Sequence, residues 1–144
     1  MNKLVTLYAY ALLASCGNPG EIREFPDAET RAIVERFESE IAPIGGITVE
    51  FVDSFPLTIG MCTLSDDAAP HIQLLKSFWD TASDAGKEQL LYHELSHSKG
   101  IDHDEGKDYY DRPLSIMYPY HISDEVYTEN REAYINDLRR KINE

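Results

Sequence analysis

His93-Glu94-Leu95-Ser96-His97-Ser98-Lys99-Gly100-Ile101-Asp102-His103 sets three histidines, one glutamate and one glycine within a single short stretch. At 100° per residue, His93 and His97 lie about 40° apart around a helix, so two imidazoles can share one metal ion. Glu94 projects roughly 60–100° to their side, where it is poorly placed as a third ligand but can hold a water as general base. Gly100, three residues past the second histidine, suits a helix that must stop and turn through a left-handed residue. That turn swings His103 back as a third nitrogen ligand and leaves the fourth tetrahedral position open, the arrangement of a catalytic zinc site. From the residue frequencies, the whole pattern has a chance expectation on the order of 10⁻⁵ to 10⁻⁴, so coincidence is set aside.

Further along, Ser115-Ile116-Met117-Tyr118-Pro119 puts a methionine in an apolar turn shortly after the third histidine. The spacing HExxHxxGxxH followed by such a turn resembles the metzincin zinc peptidases, in which the methionine packs under the metal ligands. The resemblance covers roughly residue 47 to the C-terminus and rests on these two motifs. It implies that His93, His97 and His103 bind one Zn2+, that Glu94 is the catalytic base, and that Met117 is the structural residue beneath the metal. Met-Tyr-Pro is similar to the turn of the matrixins, whereas Asp104 directly after His103 is more like the adamalysins. Astacins and serralysins place a tyrosine two residues after the methionine, where this chain has Pro119, so the subfamily stays open.

The resemblance further implies an α+β fold of the zincin kind: a small twisted mixed sheet, a backing helix, an active-site helix and a C-terminal helix, with an edge strand over the cleft. Peptide substrate would pair along that edge, since an edge strand offers free N–H and C=O groups. Gly60, Met61 and Cys62 on the edge strand, and Tyr118, Pro119 and Tyr120 after the turn, are the candidates for lining the substrate pocket. Cys62 reads as a small buried hydrophobe near the upper rim. The activity expected is endopeptidase hydrolysis by a metal-activated water. The alternative is a zinc-binding surface lipoprotein that keeps the protease scaffold without turnover.

The N-terminus opens Met1-Asn2-Lys3 and continues without charge from Leu4 to Ser15, then Cys16. A basic start, a short apolar run and small residues before cysteine have the shape of an export signal and are too short to span a bilayer. Leu13-Ala14-Ser15-Cys16 resembles a bacterial lipobox. The expectation is therefore a signal peptide over 1–15, a tether over 16–26 lipidated at Cys16, and one catalytic domain over 27–144, exported to the bacterial cell envelope. The anchor would sit in an outer membrane or at the cell surface. With Cys16 lipidated, Cys62 has no partner; with the signal uncleaved, a bridge between the two remains open. The formal net charge of −13 argues against nucleic acid and anionic lipid as partners and favours a soluble domain acting as a monomer.

Periodicity supplies the scaffold. Asp27 to Ile41 reads as an amphipathic helix through Ala28, Ala32, Ile33, Phe37 and Ile41. Ile47 to Val52 alternates as a strand; Thr58 to Leu64 and His71 to Leu75 read as two more, separated by an acidic loop over Ser65 to Pro70. The zinc helix should be capped at Ser83 or Asp84 and run to Lys99, with Leu91 and Leu95 about 160° from the histidines and facing the core. Trp79 belongs between strand and zinc helix. His103 to Pro113 reads as an acidic loop whose Asp104, Glu105, Asp108 and Asp111 leave a Ca2+ site as a minor alternative. Asp102 or Asp104 are the candidate carboxylates for steadying a ligand histidine. Ser123 to Asn143 reads as a capped terminal helix, with Tyr127, Tyr134, Leu138 and Ile142 inward. His71 and His121 read as structural or exposed.

Overall fold

The computed structural model describes residues 22–144; the signal segment, Cys16 and the start of the tether lie outside the described residues. The order is β1 (Arg23–Glu24), α1 (Ala28–Glu40), β2 (Ile47–Val52), β3 (Gly60–Ser65), β4 (Ala68–Leu75), α2 (Lys76–Trp79), α3 (Asp84–His97) and α4 (Asp124–Asn143). This is an α+β fold. Among the described residues one sheet forms, in the order β1-β2-β4-β3, with β1, β2 and β4 parallel and β3 antiparallel at one edge. Arg23 and Glu24, expected in the tether, pair with Ile47 and Thr48.

Alternation along the two central strands makes the sheet two-faced. Ile47, Val49, Ile72 and Leu74 are buried on one side, against α1 and α3. On the other side Gln73 donates to Glu50 at 2.7 Å and His71 stands 3.1 Å from the same carboxylate oxygen, as a solvated face allows. The acidic loop expected over Ser65 to Pro70 is only a tight turn, because β4 already starts at Ala68. Pro70 is accommodated in a strand because the β3–β4 register shifts between Thr63 and Ser65, and pairing with β2 begins only at His71.

Helix α1 is capped by the Asp27 carboxylate, which accepts from the Thr30 N–H at 2.7 Å. Its buried stripe is Thr30, Ile33, Val34 and Phe37. Ala28 and Ala32, expected inside, are exposed. A threonine replaces them in the core because its hydroxyl is satisfied locally by Asp27, so its methyl can pack. Helix α3 is capped by Ser83 and α4 by Ser123, as their sequences predict. Leu91 and Leu95 are fully buried, Trp79 is buried against Phe51, and Tyr127, Tyr134 and Leu138 are the inward face of α4. Ile135 joins that face, and Ile142 is partly buried.

One polar cluster clips the three long helices together. Glu88 of α3 accepts from Arg131 at 2.6 Å, Tyr127 at 2.7 Å and Arg36 at 2.7 Å. Arg131 also reaches Glu40, which takes the Tyr92 hydroxyl at 2.8 Å. Among the described residues, no helix is long and apolar enough to cross a membrane.

Candidate metal centre and cleft

The C-terminal end of α3 carries His93 and His97 on one face, and the helix ends at His97, two residues short of the Lys99 expected, giving way to a turn through Gly100. Gly100 has φ +79°, a conformation open to it without Cβ strain. The chain then turns back and brings His103 to the pair. The three Nε2 atoms lie 3.1, 3.2 and 3.2 Å apart.

The opposite ring nitrogens explain why these atoms converge. His93 Nδ1 is 2.8 Å from the Ile116 carbonyl oxygen, and His97 Nδ1 is 2.7 Å from that of Ile101. A carbonyl can only accept, so each Nδ1 carries the proton and each Nε2 presents a lone pair. Lone pairs facing each other at such distances repel unless a cation stands among them. Zinc–nitrogen bonds of about 2.0–2.1 Å in a tetrahedron put nitrogens about 3.3 Å apart, close to the spacing here, so the residues fit a zinc ion. Burial, with the other two imidazoles adding to it, pushes His93 down to about 4, and burial lowers His97 as well; both are neutral and ligand-ready at neutral pH. Backbone carbonyls therefore do the orienting that Asp102 or Asp104 was expected to do. Asp104 instead pairs with Lys141 and accepts from the Gly106 N–H.

The methionine turn abuts this centre. Ser115, Ile116 and Met117 are buried, the Ile116 carbonyl holds His93, and the Met117 carbonyl accepts from the Asp104 N–H at 2.9 Å. Of the acidic loop residues, Asp108 is held by Arg112 and Asp111 by Lys107, so these carboxylates are neutralised within the loop. Among the described residues the histidine triad is the one cluster of three or more ligand side chains close enough to share a metal ion.

Glu94 is 5 % exposed and lines the same cleft. Burial raises its carboxyl to about 7, against the opposing pull of a backbone hydrogen bond from Cys62 on the edge strand. The strand can approach this closely because residue 60 is glycine: a Cβ there would stand 2.7 Å from Glu94 Oε1 and 2.8 Å from Leu90 Cδ1. Gly60 was expected only as pocket lining; its place against the carboxylate is what the sequence did not disclose. Cys62 is half-buried on the cleft wall, and burial, with Glu94 beside it, raises its thiol to about 11. Its side chain is thus an inert wall, and its backbone is the part that meets the site.

The cleft has a volume of about 360 Å³. All the expected lining residues meet in it: Gly60, Met61 and Cys62 from β3, and Tyr118, Pro119 and Tyr120 after the turn. Among the further lining residues that were not foreseen are two with polar side chains. His121, read as structural or exposed, lines the cleft with its ring edge-on to Phe78. Gln89, buried on α3, also lines it; its amide donates to the Ile122 carbonyl while its own oxygen has no partner. Gln89 lies one turn before His93, and that helical offset was the available signal.

Compared with protein-family models, with curated proteins and with solved structures, the chain matches none.

Proposed function

We propose that this chain is a zinc-dependent endopeptidase of the metzincin type, acting on protein or peptide substrates. The observation that carries the reading is the convergence of three Nε2 atoms beside a buried glutamate in an open cleft. Zinc bound there would supply Lewis acidity and bring the pKa of a water towards neutrality.

The chain's own groups do the rest. Glu94, raised to about 7, can take a proton from water and return it to the leaving amine near neutral pH. Gly60 and the Cys62 backbone fix where that carboxylate stands. The edge of β3, unpaired among the described residues, offers main-chain groups to an extended peptide, and Tyr118, Pro119 and Tyr120 wall the pocket beside it. Met117 is buried with Ser115 and Ile116 in the turn whose Ile116 carbonyl supports His93. Export and lipid anchoring at Cys16 belong to this reading on the strength of the N-terminal sequence.

The test is digestion of a diverse peptide library by wild type and Glu94→Ala, with zinc content measured for both. The expected result is one zinc in each protein and cleavage by wild type alone, with a loss of at least about 100-fold in the variant. Cleavage retained by Glu94→Ala would refute the mechanism. Zinc in both with cleavage in neither would favour the non-catalytic lipoprotein.

A further inference from the structure

The last turn of α4 reaches the metal centre through one side chain. Lys141 has three N–H donors, and the structure provides three acceptors: Asp104 Oδ2 at 2.5 Å, Asp137 Oδ2 at 2.9 Å and Ser115 Oγ at 3.0 Å. These acceptors come from three separate pieces of chain. Asp104 directly follows the third histidine, Ser115 opens the methionine turn, and Asp137 lies one helical turn back on α4.

The cluster is closed on itself. Ser115 is fully buried; its hydroxyl donates to Asp137 at 2.7 Å and accepts from the Met117 N–H at 3.2 Å. The Asp104 N–H returns to the Met117 carbonyl at 2.9 Å, so the loop and the turn are tied by backbone as well as through the lysine. The Lys141 and Asp137 side chains are 17 % and 16 % exposed, which separates this group from a solvated surface pair. Without the ammonium, Asp104 on the loop and Asp137 on α4 would be left close together as like charges.

We propose that Lys141 is a positioning residue that clamps the loop carrying His103 to the methionine turn carrying the His93 support, and so sets how long the centre retains its metal. His93 and His97 share one rigid helix, whereas His103 is exposed on a loop, so its placement depends on such a clamp. Groups that orient metal ligands are worth about 10- to 100-fold in metal affinity. Here the lever is remote in sequence, at the far end of the chain from the ligand helix.

This inference rests on the zinc reading, and its experiment separates the two. The full chain is loaded with zinc, and release to an excess of a chromophoric chelator is timed for wild type, Lys141→Met, Asp104→Ala and the double variant. Each single variant should release zinc about 10- to 100-fold faster, and the double no faster than the quicker single, because both break one link. Glu88→Gln, which weakens the helix clip away from the metal, should lower Tm and leave release unchanged. If Lys141→Met does not fold, Asp104→Ala carries the comparison, since it leaves the Lys141–Asp137 pair in place. Release from the single variants within about twofold of wild type, or effects that multiply in the double, would overturn the clamp while leaving the zinc site standing. A wild type that takes up no zinc would overturn both.

Discussion

Glu88 and Glu94 lie on one helix, six residues apart, and are 6 % and 5 % exposed. Their surroundings are opposite. Burial would raise Glu88, but Arg131, Tyr127 and Arg36 outweigh it and hold its carboxyl below the usual range. Glu94 is as little exposed but more deeply buried, with only a backbone hydrogen bond from Cys62 against it, and stands at about 7. The first carboxylate is saturated with donors and serves as a bolt between α1, α3 and α4. The second is kept short of donors, and that shortage leaves it able to exchange a proton in the physiological range. Burial of an acid thus says little about its role until its donors are counted.

The comparison breaks most severely at Glu88. Glu88→Ala leaves Arg131 without its main buried partner and should destabilise the fold by about 3–5 kcal/mol, read as a fall in urea midpoint. The sign with pH follows from the lowered folded-state pKa. The Glu88 contribution is complete above its ordinary value of 4.5 and drains away as pH falls through the lower folded value. Acid unfolding of wild type should therefore steepen below pH 4.5, and the variant should lack that component.

Glu94→Gln should act in the reverse sense on the metal-free protein. A raised carboxyl makes the folded state bind more protons between 4.5 and about 7, so stability falls as pH rises through that window. The cost is fully present above 7, with an upper bound of about 3.5 kcal/mol. Gln should raise Tm at pH 8 and change little at pH 4.5; a variant less stable than wild type at pH 8 would show that the buried charge is better compensated than its donors suggest.

Gly60→Ala sharpens the comparison at the edge strand. Its Cβ would press on Glu94 Oε1 and Leu90 Cδ1, so the carboxylate must shift while the histidines do not. Peptide cleavage should fall by about 10- to 100-fold with zinc content unchanged. Loss of zinc in this variant would mean that β3 supports the ligands as well as the base.

The contrast between the glutamates also marks how far the sequence could be read. The histidine triad was legible because its geometry is local: His93 and His97 share a helix face, Ser83 caps that helix, and Gly100 turns the chain after it. Glu88 was not, since its donors come from Arg36 and Arg131 on other helices, and no local period encodes a pairing across that distance. Strand β1 escaped because Arg23 and Glu24 have no apolar alternation and become a strand only by pairing with β2. Ala28 and Ala32 were misplaced because a helical stripe can be drawn slightly off its true direction, and only the Asp27–Thr30 bonds show that a polar residue takes the inner position. His121 was missed at the cleft for the same reason as Glu88, since only the tertiary fold brings it there, whereas Gln89 was legible from its place one helical turn before His93.

The most direct measurement of the central claim is a zinc titration of the chelator-stripped protein, with bound metal and peptide cleavage followed on the same sample. Cleavage should be absent from the stripped protein, rise in proportion to zinc, and saturate at one ion per chain. His93→Ala, His97→Ala and His103→Ala should each remove that site. Full cleavage by the zinc-free protein, or unchanged zinc stoichiometry with all three histidines replaced, would contradict it.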